Sequence, residues 1–123
     1  GLLAGVRFVR RQVTQAILHH EHALTCRTAE NLRRLPGVEV FALPGCPAQA
    51  GVVSFRVPGR DAETVGEALA RRGIAVRAGL HCAPQAHRSA GTIDSGTVRV
   101  SFSAFNTPRE VEAFAAMVRT AVR

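Results

Sequence analysis

Apolar positions recur at helical spacing through the first quarter of the chain, at Val6, Val13, Ile17, Leu24 and Leu32. The pattern predicts helix from about Leu2 to Leu35, in one or two pieces, stopped by Pro36-Gly37. A short strand is predicted near Val38–Phe41, and the Pro and Gly of LPGCPAQAG then make a loop. In GVVSFRV the pattern changes to strict alternation. Val53, Phe55 and Val57 share one face, and Ser54 and Arg56 the other. PGRD is a turn, and Asp61 is placed to cap a helix that buries Val65, Ala68 and Leu69 and ends at Gly73. A strand follows with Ile74 and Val76 on one face and Arg77 on the other. The stretch from Arg77 to Gly96 has neither period. TVRVSF then alternates again, with Val98, Val100 and Phe102 opposed to Arg99. Thr107, Pro108 and Glu110 form a helix start of the capping-box type, followed by a stripe of Val111, Phe114, Ala115, Val118 and Val122.

The predicted order is α-β-β-α-β-β-α. It defines an α+β domain: a small, mostly antiparallel sheet with helices on one face. Arg56, Arg77 and Arg99 all alternate away from the apolar residues of their strands. If the strands share a sheet, the three guanidinium groups line its uncovered side, either as solvated arginines or as an anion-binding face.

Length and composition sharpen this. A chain of 123 residues with 46% hydrophobic residues fits one domain with a real core, mostly aliphatic because Trp and Tyr are absent. The net charge is +7, and all 16 basic residues are arginine, with no lysine. The excess suggests anionic partners, or compositional bias toward arginine. No aromatic stacking platform or nucleic-acid motif accompanies it, so nucleic acid is not an expected partner. Three widely spaced cysteines, Cys26, Cys46 and Cys82, make no disulfide framework and suggest a reducing compartment. No apolar run is long enough to span a bilayer, and the N-terminus is no signal peptide. The chain starts at Gly1 and its only methionine is Met117, so a piece of a longer product is expected.

The candidate chemistry centres on Cys82. It lies in a segment rich in backbone-permissive residues, beside His81 and near Arg77 and His87. Positive neighbours favour the nucleophilic thiolate. Arg99, held on a strand, has the planar fork that grips a carboxylate through two hydrogen bonds. Two other readings compete. Cys82, His81, His87 and Cys46 are zinc-ligand types, though their spacing is irregular. His19 and His22 stand at i, i+3 on one helix face, as metal ligands or as a solvated or packed face. Cys46 is expected to be an ordinary loop thiol.

The residues VRAGLHCAP…AHRSAGTIDSGTVRVSFSAFNTPREVEAF, together with the entering helix, closely resemble the C-terminal part of class V aminotransferase-fold cysteine desulfurases. The likeness is to the SufS-like or selenocysteine-lyase-like branch of these fold-type I enzymes, and it spans nearly the whole chain. The resemblance implies that residues 1–123 are the small C-terminal domain of such an enzyme, with residues 1–35 as its entering helical segment. It implies pyridoxal 5'-phosphate as cofactor. It makes Cys82 the catalytic cysteine that takes sulfur from L-cysteine as a persulfide, with release of alanine. Arg99 becomes the substrate-carboxylate ligand, Arg77 a substrate-proximal or structural arginine, and His81 a supporting residue. A sulfur-acceptor protein or thiol, a homodimeric full-length enzyme, a cytoplasmic setting and a place in iron–sulfur cluster assembly come with the family. No metal is implied.

The chain departs from the family in having no lysine, so it holds no residue for a Schiff base with the cofactor. The cofactor-binding residues would lie in a large domain that is not in this chain. Alone, the chain is expected not to catalyse desulfuration. The alternatives are a standalone sulfur-carrier or partner-binding module, a nonfunctional fragment, and selenocysteine lyase or another class V activity.

Overall fold

In the computed structural model, which describes residues 1–122, the entering helix is broken at Val13. Helix α1 runs Leu2–Gln12 and α2 runs Thr14–Arg33. Val13 has a φ of 62°, a conformation a β-branched residue rarely adopts, and this ends one helix and starts the other. Burial follows the break. Leu24, Thr25, Thr28, Ala29 and Leu32 of α2 are buried, whereas α1 buries nothing and leaves Leu2, Leu3, Val6 and Val9 exposed. The periodic positions Val6 and Val13 are thus not core, although Leu24 and Leu32 are.

Strand β1 is Glu39–Phe41, β2 Val52–Arg56, helix α3 Ala62–Ala70, strand β3 Arg77–Gly79, helix α4 Pro84–Ser89, strand β4 Thr97–Ser101 and helix α5 Pro108–Ala121. The four strands form one antiparallel sheet in the order β1-β2-β4-β3. The architecture is therefore α+β, as the patterning predicts. Three details differ. Strand β3 begins at Arg77, because the backbone from Ile74 is still engaged in ending α3, with Ile74 N–H donating to Leu69 O at 3.1 Å. Ile74 and Val76 pack against the core from outside the strand. Helix α4 lies in the segment that shows no period, since six residues are too few to display one. At the C-terminus Ala121 is buried in the stripe and Val122 is the half-buried cap.

The register separates the two sheet faces. Val40, Phe55, Val98 and Ala78 form one row, with Val53 and Val100 beside it, on the side covered by α2, α3 and α5. Phe55 meets Phe114 of α5 edge-on, with ring centroids 6.1 Å apart. Each fully buried Val, Leu or Phe on this side contributes about 1.5–3 kcal/mol. Helix α5 begins as predicted. Thr107 Oγ1 accepts from Glu110 N–H, and the Glu110 carboxylate accepts from Thr107 N–H, which lowers the Glu110 pKa from its ordinary value.

Candidate active site

The other sheet face is open, and its central row is Phe41, Ser54, Arg99 and Arg77, one residue from each strand. Arg77 and Arg99 stand directly opposite each other on β3 and β4. Two like charges so placed repel. Arg77 is exposed and has no ion-pair partner among the described residues. Arg99 is half-buried, and its Nε is fully buried with no hydrogen-bond partner. An unmet buried donor costs about 1–3 kcal/mol, and an anion between the two guanidinium groups would relieve both defects.

Arg56, the third open-face arginine, is already committed. Its Nε lies 2.6 Å from Glu39 Oε2, one terminal nitrogen donates to Gly91 O at 2.7 Å, and the guanidinium sits 5.8 Å from the Phe41 ring centroid. It ties β1 and β2 to the segment after α4.

Cys82 follows β3 in a four-residue turn, Leu80–Ala83, closed by Ala83 N–H donating to Leu80 O at 2.9 Å. The thiol-bearing residue is exposed. Its segment is built, not irregular: the turn, then α4, then a return to β4. His87 of α4 is buried with Nδ1 2.7 Å from Thr92 Oγ1, and Gly96 passes against Gly79 at the base. A Cβ on Gly96, whose φ is 62°, would lie 2.9 Å from Gly79 Cα, so both the conformation and the close approach require glycine there.

His81 precedes the cysteine. Its Nε2 lies 3.1 Å from the Thr97 carbonyl of β4, and its ring centroid is 6.0 Å from that of His87. Burial pulls the His81 pKa below the usual histidine range. The positive charges of Arg99 and Arg77 act the same way, against the opposing pull of the Thr97 carbonyl. The ring is therefore neutral near pH 7.

On this face lies an open recess of about 290 Å³, walled by Phe41, Ser54, His81, His87, Thr97 and Arg99 among others. Three buried polar atoms at this site lack partners: Arg99 Nε, Thr97 Oγ1 and His81 Nδ1. They amount to an amino-acid-sized recess with an unmet guanidinium donor in its wall and an exposed thiol on the segment that rims it. A second cavity, about 310 Å³ at the Ser101 end of the sheet, has no cysteine or histidine in its lining.

The structure thus brings His81 and Arg99 into one recess and adds Thr97 and Ser54, while Cys82 follows His81 in the turn and Arg77 stands opposite Arg99 in the sheet, both outside the lining. Thr97 was legible as the open-face neighbour of Arg99 two residues along the strand. The zinc-type grouping is not assembled. Cys46 lies in the β1–β2 loop, at the end of the sheet opposite Cys82, and is buried in the core. There His22 Nε2 lies 2.7 Å from Cys46 O and 3.5 Å from Cys26 Sγ, while His19 reaches only Gln15. Cys46 is therefore a core thiol and not an ordinary loop one. The chain has no lysine that could bind pyridoxal phosphate covalently, so the groups at this recess do not by themselves make a site for it.

Fold and site together define a small α+β domain with an arginine-walled recess on its open sheet face. Residues 1–114 match the family described as Aminotransferase class-V, and the chain belongs to that family. Over 97% of its length the chain is 40% identical to a probable cysteine desulfurase of Mycolicibacterium paratuberculosis and 39% identical to a cysteine desulfurase of Synechococcus elongatus. It spans only 17% and 18% of those two proteins. Among solved structures, the apo cysteine desulfurase of Thermococcus onnurineus superposes with a TM-score of 0.89 at 38% identity, over 97% of this chain and 29% of that one. The Escherichia coli cysteine desulfurase CsdA gives 0.85 at 26% identity, over 97% and 28%.

Proposed function

We propose that this chain is the sulfur-accepting C-terminal domain of a pyridoxal-phosphate-dependent cysteine desulfurase. The observation that carries the reading is a recess with the buried, unpartnered Arg99 Nε in its wall, lined also by His81 and Ala83, the two chain neighbours of the exposed Cys82. Arg99 receives the α-carboxylate of L-cysteine, and Arg77 opposite it adds a second positive charge. The Cys82 thiolate forms an S–S bond to the substrate sulfur while the substrate C–S bond breaks. That electron pair stays with the carbon skeleton, which is protonated and leaves as alanine. Pyridoxal phosphate, when bound, supplies the electron sink for C–S cleavage, and the groups that hold it come from outside this chain. An exposed cysteine also suits delivery of the persulfide sulfur to an acceptor protein or thiol. Relatives' names support cysteine over selenocysteine as substrate. The homodimer, the cytoplasmic setting and the link to iron–sulfur cluster assembly follow the family reading. Among the described residues no helix is long and apolar enough to cross a membrane.

The test is intact-mass analysis of the native gene product, incubated with L-cysteine and pyridoxal phosphate. A longer, lysine-containing product that gains one sulfur atom on the Cys82 peptide and releases alanine is the expected result. A product limited to Gly1–Arg123 that accepts sulfur from another protein without the cofactor would replace this reading with that of a sulfur carrier.

A further inference from the structure

The two central residues of the Leu80–Ala83 turn are both left-handed, His81 with φ 52° and Cys82 with φ 59°. Mirror-image turns of this kind favour Asn and Gly, because a side chain costs about 1–2 kcal/mol at each left-handed position. Neither residue here is Asn or Gly, so the turn needs an external hold. One side chain contact from the turn to the sheet supplies it. His81 Nε2 meets the Thr97 carbonyl at 3.1 Å. A carbonyl only accepts, so Nε2 carries the hydrogen. In the neutral ring Nδ1 then keeps a lone pair, and this atom is buried without a partner in the wall that also holds Arg99 Nε and Thr97 Oγ1. The charged groups around the ring are Arg99 and Arg77, both of which disfavour a positive charge on it, and the other titratable neighbour is the His87 ring.

We propose that His81 is a positioning residue for Cys82. By donating Nε2–H to the Thr97 carbonyl it holds the left-handed turn that presents the thiol, and it leaves Nδ1 as a neutral acceptor in the wall of the carboxylate recess. The inference rests on the desulfurase reading for its purpose, but its geometry is tested without any reaction.

Two variants divide the ring's functions. Glutamine places an N–H near the Nε2 position and retains the clamp. Asparagine places an acceptor near Nδ1, tolerates the left-handed backbone, and cannot reach Thr97. In the full chain, nitrogen chemical shifts of His81 are expected to show the Nε2–H form. Amide exchange protection of Ala83, whose N–H closes the turn, is expected to fall about tenfold in His81→Ala, to be largely restored in His81→Gln, and to stay low in His81→Asn. Amides of Val53 and Val98 in the sheet report whether each variant is folded. In the active protein, His81→Ala is expected to lower kcat about tenfold with KM for L-cysteine unchanged, since Arg99 still binds the carboxylate. An Nδ1–H tautomer, unchanged Ala83 protection in a folded His81→Ala, or rescue by Asn equal to that by Gln would overturn the proposal. If Ala83 behaves as stated while the wild type forms no persulfide, the clamp stands and the functional reading is what fails.

Discussion

Cys46 and Cys82 share much of their local description. Each lies in a segment rich in Gly, Ala and Pro between two strands, each has a positive φ (47° and 59°), and each has a histidine close by. Their fates are opposite. Cys46 is 1% exposed, packed in the main core, with its carbonyl held by His22. Cys82 is exposed in the turn after β3, and Arg77 of β3 and Arg99 of β4 make no ion pair among the described residues. The difference shows that a cysteine in a permissive loop is not a site by virtue of its backbone or its histidine. What distinguishes Cys82 is the sheet face onto which its loop closes, since that face carries the unmet donor.

The largest effect expected from this contrast is on sulfur transfer. Cys82→Ser should abolish persulfide formation on this chain, whereas Cys46→Ser should leave it and instead lower stability by about 1–3 kcal/mol through a buried hydroxyl. Persulfide mapping and urea midpoints on both variants measure the two effects, and an active Cys82→Ser protein would end the comparison. Next in size is Arg99→Ala, expected to weaken substrate-carboxylate binding by about 1.5–3 kcal/mol, seen as a raised KM for L-cysteine. Arg56→Ala should leave KM alone, because Arg56 is spent on Glu39 and Gly91.

Glycines at the two loops sharpen the contrast on the stability side. Gly45 and Gly96 both have positive φ, but a Cβ on Gly45 meets nothing within 4 Å while one on Gly96 strikes the Gly79 backbone. Gly45→Ala should cost about 1 kcal/mol, the left-handed penalty alone, and Gly96→Ala clearly more. Equal denaturant midpoints for the two would show that the β3–β4 approach is not tight.

The smallest effect is a pH dependence on the Cys46 side. Burial, then the neighbouring Cys46 thiol, pushes the Cys26 pKa from 9.0 up to about 11. The folded state therefore holds this proton more tightly than the unfolded one. The stabilisation is full below pH 9 and is lost as pH rises toward 11. Urea midpoints across that range should decline, and Cys26→Ala should flatten the decline. In the same range iodoacetamide should label exposed Cys82 before Cys26 and Cys46.

Much of this was legible along the chain. Alternation fixed the faces of β2 and β4, because a strand's period of two assigns each side chain once one face is apolar. The Thr107–Glu110 capping box and the Asp61 cap were readable because capping is a contact between near neighbours. The short α4 was hidden because six residues carry no period, and Val13 broke the helix through a dihedral that no composition announces.

The sequence alone thus determined the α+β class, the outward arginines, the lack of a lysine, and the resemblance centred on Cys82 and Arg99. Only the tertiary structure decided which arginines are free. Arg56 found Glu39 through the β1–β2 register, while Arg77 and Arg99 were set face to face by β3–β4. It also decided that Cys46 goes under α2 and that His81 reaches Thr97, sixteen residues away. The physical reason is common to all of these. Pairing and burial depend on what strand register and helix packing bring together, and neither distance nor solvent exclusion between remote residues is written in local pattern.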